Sequence, residues 1–233
     1  EYMPIYKIGS GDMTAYPVIE QIANLGKPII LSTGLSDEKE VLDTIAFIQE
    51  SNPLYKEPEY LAILQCTSMY PIDFTDANLN VMTSLAQKTA LTVGYSDHTM
   101  GSKAMQYAYA MGAQILEFHF TDTREGKEFR DHKVSLTPAE VLDLIDEIRT
   151  INDLKGDSLK KPLEIEREAG HTVSFRRALY PSRDLNKGHI ITKEDLVPLR
   201  PLHGVDAREY DKLIGKKLTN SKKQFERIDL NDF

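Results

Sequence analysis

The chain has 233 residues, 41% hydrophobic and 27% charged, with a formal net charge of -8; this allows one large domain, or a medium one plus a small one, with a sizeable core. A net acidic balance excludes broad binding to a phosphate backbone, so nucleic acid is not an expected partner, while a local Lys/Arg pocket for one anionic metabolite stays open. The apolar runs fall far short of a bilayer span, no charged-then-apolar leader is visible, and the single cysteine, Cys66, can form neither an internal disulfide nor a multi-thiolate zinc site. The expectation is a cytoplasmic protein with no membrane partner, in which any metal is held by histidine, carboxylate or substrate oxygen.

In chain order, short aliphatic or aromatic runs alternate with stretches of helical spacing. Tyr6 to Ile8, Ile29 to Leu31, Leu61 to Leu64, Leu91 to Val93 and Ile115 to Phe118 have the length and content of buried parallel strands. Between them the apolar residues recur at helical spacing: Val18, Ile19, Ile22 and Leu25; Val41, Ile45 and Ile48; Leu79, Met82 and Leu85; Ala104, Tyr107, Ala108 and Met111. After a long loop, Thr137-Pro138-Ala139-Glu140 supplies a cap, a first-turn proline and a capping-box glutamate for a helix running to about Leu154. These strand-then-helix units predict a parallel α/β sheet, whereas a closed barrel takes eight strands and ~250 residues. Either the sheet is open or three units are missing, and the short lead-in before Tyr6, without an initiator methionine, favours the second.

Beyond Leu154 the pattern changes. Residues 159–171, with Lys160, Lys161 and Pro162, read as a linker between the barrel part, 1–158, and a small second domain, 172–233. In that domain Val173 to Tyr180 and Ile190 to Ile191 are expected strands, Asn186-Lys187-Gly188 a turn, and Thr192 to Leu196 a short capped helical turn. Lys223 to Phe233 faintly repeats Asn186 to Leu196, matching Ile191 with Ile228 and Asp195-Leu196 with Asp232-Phe233. The basic cluster Lys216, Lys217, Lys222 and Lys223 reads as a solvated face.

In parallel β/α folds ligands collect at the carboxyl ends of strands. Each predicted strand ends in polar residues: Gly9-Ser10-Gly11-Asp12, Ser32-Thr33-Gly34, Thr67-Ser68-Met69-Tyr70, Ser96-Asp97-His98, and Glu117, His119 and Thr121 on the fifth. Ser10, Ser32, Ser68 and Ser96 would converge on one oxyanion, with Lys7 pointing its ammonium into the same centre; taken singly, each serine is as well explained as a loop former. His98 and His119 end neighbouring strands, close enough to share a divalent ion, or else to serve as ordinary hydrogen-bonded histidines. His132 is a weaker candidate, and His171, His189 and His203 read as ordinary polar residues. Asp131 is either an acceptor for a substrate hydroxyl or a turn residue.

The segments YKIGSGD, GKPIILSTGLS, LQCTSMYP, VGYSDHTMG and LEFHFTD...RDHKVSLTP resemble the successive strand-end motifs of the sialic acid synthase family. RDLNKGHIITKEDLVPLRPLHGVD and LIGKKL resemble its C-terminal antifreeze-like domain, of β-clip type. The resemblance implies a (β/α)8 TIM-type barrel, here lacking its first three β/α units. It also implies condensation of phosphoenolpyruvate with an N-acyl amino sugar, N-acetylmannosamine or a related diacetamido sugar, to give a nonulosonate and phosphate.

By the same resemblance, Lys7, Ser10, Ser32, Ser68 and Ser96 bind phosphoenolpyruvate, and His98 and His119 bind Mn2+ or Mg2+. Asp12, Tyr70, Asp131 and Arg200 would bind the sugar, with Asp131, Tyr70 and Arg200 the expected catalytic residues. Arg200 would contact the N-acyl group in the site of a second subunit of a domain-swapped homodimer. The chain departs from the family pattern at Phe118, where a basic residue is usual, at Asp12, where glutamate is usual, and at Ser68, where asparagine is frequent. A non-catalytic sugar-phosphate binding homologue and a different metal-dependent barrel enzyme are the alternatives.

Overall fold

The computed structural model describes residues 2–233. The chain divides into two compact units, Glu1–Gly156 and Asp157–Phe233.

The first unit is built on five parallel strands, β1 (Tyr6–Ile8), β2 (Ile29–Ser32), β3 (Leu61–Cys66), β4 (Thr92–Ser96) and β5 (Leu116–Glu117), which lie side by side in chain order. Such an order has no reversal point, as in a barrel wall. Helices α1 (Tyr16–Ala23), α2 (Glu38–Ser51), α3 (Asn80–Thr89) and α4 (Lys103–Ala110) connect successive strands. Every residue of β3 is buried, as expected of a central strand covered on both faces. In a flat sheet β1 and β5 would stand about 19 Å apart, four steps of ~4.8 Å. Instead Lys7 Nζ on β1 lies 3.2 Å from Glu117 Oε1 on β5. The sheet is therefore curled into a half-barrel, and the two outer strands face each other across its hollow.

The helices form where the sequence supplies both a start and an apolar stripe. Asp37 accepts from the Glu40 N–H while Glu40 accepts from the Asp37 N–H, both at 2.9 Å, and this reciprocal cap opens α2. Val41, Ile45 and Ile48 then face the sheet, each such side chain contributing about 2 kcal/mol of burial. On α1 the packing is narrower than the spacing suggests, since Ile19 is buried and Val18 stays exposed, as does Leu25 just beyond the helix. The loop after β5 carries a short helix, α5 (Asp131–Val134), and leads to α6 (Pro138–Lys155). Glu140 accepts from the Thr137 N–H at 2.8 Å, the expected capping glutamate.

In the second unit the expected linker holds α7 (Glu164–Glu168), begun by Glu166 accepting from the Leu163 N–H at 2.7 Å. The expected strand from Val173 is shorter than its apolar content suggests. Its start is helical, α8 (His171–Ser174), where the His171 and Phe175 rings stack at 4.3 Å one turn apart. Only β6 (Ala178–Pro181) is strand, paired antiparallel with β7 (Leu196–Leu199). Ile190 makes an isolated bridge to Lys217 rather than a strand. The internal repeat has a physical counterpart: Thr192 donates to Asp195 at 2.9 Å and Asp229 to Asp232 at 2.7 Å, each cap opening a single turn, and both Ile191 and Ile228 are buried in the core. Among the described residues no helix is long and apolar enough to cross a membrane.

Candidate active site

The carboxyl ends of β1 to β5 surround a cleft of about 630 Å³. Lys7, Ser10, Ser32, Ser68, Tyr70, Ser96, His98 and His119 line it, together with Cys66, Glu117, Phe118 and Arg130. Asp12 does not line the cleft, because the tight turn Ser10–Asp12 leaves its side chain exposed on the rim. Arg200 lies in the second unit, its guanidinium 5.7 Å above the Phe175 ring.

The hydroxyls gather around a glycine. The Gly34 N–H donates to Ser10 Oγ at 3.0 Å, and a Cβ on Gly34 would overlap Ser68 Oγ and stand 2.9 Å from Ser10 Oγ. A side chain there would have to displace both hydroxyls. Ser32 donates to Glu117 Oε2 at 3.1 Å, and the same carboxylate holds Lys7. Lys7, Ser32 and Glu117 thus form one cross-barrel network.

The histidines form a second group. Their ring centroids are 5.2 Å apart, and Tyr70 packs against both, at 4.0 Å from His98 and 5.4 Å from His119. The Thr67 carbonyl, 2.8 Å from His98 Nδ1, can only accept, so Nδ1 carries hydrogen and neutral His98 presents the Nε2 lone pair. Burial opposes charge on His98, but Cys66 and the Thr67 carbonyl favour it, and its pKa lies above the ordinary imidazole value. Burial, then the neighbouring His98, holds His119 below that value, which keeps it neutral at pH 7. Asp131 Oδ2 lies 3.7 Å from His119 Nδ1. Burial pushes the Tyr70 phenol up, so it remains a hydrogen-bond donor.

These donors fit a divalent ion that takes two imidazoles and completes its shell with oxygens from water or substrate. Among the described residues no group of three His, Cys, Asp or Glu side chains is placed to hold a metal alone. Asp97 belongs to the scaffold: its carboxylate accepts from Tyr95 Oη at 3.0 Å, the Thr99 N–H at 2.9 Å and Thr99 Oγ1 at 3.0 Å, which fixes the turn presenting His98.

The NeuB family profile matches residues 1–160, and the SAF domain profile matches residues 176–223. The chain belongs to the NeuB family. The sequence resemblance to sialic acid synthases with an antifreeze-like domain is thereby borne out. Among curated relatives of this NeuB chain, the N,N'-diacetyllegionaminic acid synthase of Campylobacter jejuni subsp. jejuni serotype O:2 is 36% identical over 97% of the chain and 66% of the relative. The synthase of the same name from Legionella pneumophila is 38% identical over 91% of the chain and 59% of the relative. A crystal structure of N-acetylneuraminic acid synthetase from Leptospira borgpetersenii serovar Hardjo-bovis, in complex with citrate, aligns with a TM-score of 0.65 at 29% identity, over 73% of the chain and 57% of that structure. The chain therefore spans less than two thirds of the length of these relatives.

Sequence reasoning missed Arg130 in this NeuB cleft. Its guanidinium carbon lies 5.0 Å above the Tyr70 ring, and no spacing rule singles out one arginine in a loop. Cys66 was read only for disulfides and thiolate zinc sites, yet its Sγ lies 3.9 Å from His98 Nδ1 and 4.0 Å from Ser68 Oγ. Its strand-end position was the available signal.

Proposed function

We propose that the full-length protein condenses phosphoenolpyruvate with an N-acyl amino sugar to give a nonulosonate and phosphate. The observation that carries this reading is the meeting of two groups on one rim of a NeuB-family half-barrel: serine hydroxyls with Lys7, and a histidine pair beside Tyr70. The names of the two legionaminic acid relatives favour a diacetamido acceptor over N-acetylmannosamine.

In this reading Lys7, Ser10, Ser32, Ser68 and Ser96 donate to the carboxylate and phosphate of phosphoenolpyruvate, fixing its C3 toward the acceptor. A manganese or magnesium ion held by His98 and His119 would supply Lewis-acid polarisation of the sugar aldehyde. C3 bonds to the aldehyde carbon, whose oxygen takes up a proton. Water then adds to C2 of the enolpyruvate, and the C2–O bond to phosphate breaks. Tyr70 donates to the sugar and Asp131 accepts from one of its hydroxyls, while the partner subunit's Arg200 meets the N-acyl group in a domain-swapped homodimer. The cleft supplies positioning and charge rather than a nucleophile.

The test incubates full-length protein with phosphoenolpyruvate, Mn2+ and a panel of N-acyl hexosamines and diacetamido hexoses. Acceptor-dependent phosphate release is the expected result. Its absence with every sugar removes the reading, and calorimetric binding without product would identify a non-catalytic homologue.

A further inference from the structure

The loop between β5 and α6 carries several cations, and they are used differently. Arg124 donates to the Ser135 carbonyl at 3.1 and 2.7 Å and to Glu140 at 2.6 Å, so it braces the loop against the start of α6. Lys127 is held by Asp122 and donates to Thr121 at 3.1 Å. Arg130 has no such employment: among the described residues its guanidinium makes no hydrogen bond, and its ionic neighbour Asp131 stands at 3.6 Å, beyond hydrogen-bond length.

Its side chain is 66% exposed and has one aromatic contact. The guanidinium lies over the Tyr70 ring, a cation–π contact that restrains a long side chain without using its N–H groups. Asp131 stands between Arg130 and His119 at 3.6 and 3.7 Å, both longer than a hydrogen bond, so it leaves the donors of Arg130 unsatisfied. Lys7, the other cation lining the cleft, is neutralised by Glu117. Arg130 is thus a planar fork of unused donors set over Tyr70, in the cleft that the histidine pair also lines.

We infer that Arg130 is a specificity-determining residue for the acceptor sugar, donating to an oxygen-bearing substituent, either an acyl carbonyl or an acid group, distal to the reacting aldehyde. This inference rests on the functional reading above. The experiment compares full-length wild-type protein with Arg130→Ala and Arg130→Lys, measuring KM for phosphoenolpyruvate and for acceptors bearing hydroxyl, acetamido, carboxylate or phosphate groups at the distal carbons.

Arg130→Ala raises the acceptor KM about tenfold for the acetamido sugar, and about a hundredfold if the substituent is acidic, with phosphoenolpyruvate KM unchanged. Arg130→Lys recovers part of the loss for an acidic group and little for an acyl carbonyl. An increase confined to phosphoenolpyruvate KM, or no change in either, overturns the inference. Calorimetric titration of the same sugars, without turnover, separates the two failures. If wild-type protein turns over no sugar, the functional reading falls, and weaker sugar binding by Arg130→Ala still upholds the role of Arg130. Equal affinities, or no sugar binding by either protein, overturn it.

Discussion

Each unit contains a carboxylate held by a cation and a hydroxyl, and the two are built to opposite ends. In the second unit Asp195 is fully buried and saturated: Arg183 donates at 3.1 and 2.7 Å, His189 lies at 2.7 Å, and Thr192 donates from its N–H and hydroxyl at 2.9 and 3.0 Å. In the first unit Glu117 is about one third exposed, with Lys7 and Ser32 at 3.2 and 3.1 Å. A saturated buried carboxylate is a fastener, since every lone pair has a partner and nothing can enter. A partly exposed one, in a cleft with other open donors, leaves room for a ligand.

The contrast can be broken from either side. The largest effect is expected at the histidine pair: His119→Ala lowers phosphate release by the full-length protein about a thousandfold, about 4 kcal/mol of barrier, without changing its unfolding temperature. Asp195→Ala does the reverse, removing about 3 kcal/mol from the second unit in denaturant unfolding, because Arg183 and His189 lose their shared partner. Gly34→Ala is smaller. By forcing Ser10 and Ser68 apart it weakens phosphoenolpyruvate binding about ten- to a hundredfold, read by calorimetry. Lys88→Ala, which removes an exposed ion pair with Glu38, costs under about 0.5 kcal/mol and marks the floor of the scale.

The pH dependence of stability sharpens the same contrast. Although burial works to raise the Asp195 carboxyl, His189, Thr192 and Arg183 prevail and hold its pKa far below the ordinary carboxylate value. A depressed folded-state pKa stabilises the fold above the unfolded value of about 3.9, and that contribution is lost as pH falls toward the folded value. The stability difference between wild type and Asp195→Asn is therefore constant above about pH 5 and shrinks below about pH 4, as followed by thermal unfolding.

Much of this was legible in the sequence, for reasons that differ by residue. The five strands and the starts of α2 and α6 follow from aliphatic runs and capping pairs, which are local, so neighbouring residues suffice to specify them. The gathering of Ser10, Ser32, Ser68 and Ser96 follows from strand-end position in a parallel sheet. Contacts made by curvature were not legible: Lys7 and Glu117 meet because the sheet bends, and no periodicity encodes that. The outward setting of Asp12 was not legible either, because a single tight turn decides whether a rim residue faces in or out. The helices α7 and α8 were hidden in a charged stretch and an apolar run, where one cap and one ring stack outweigh composition. Arg130 needed Arg124 and Lys127 to be seen in use before its place over Tyr70 carried meaning.

The most direct test of the cleft as a condensation site follows one atom. Full-length protein is given phosphoenolpyruvate labelled with 18O in the oxygen bridging C2 and phosphorus, together with Mn2+ and the best acceptor sugar. Water attack at C2 with C–O cleavage sends the label into inorganic phosphate, released one for one with a sugar acid lacking it. Label retained in the sugar acid, or phosphate released equally without acceptor, would contradict the account.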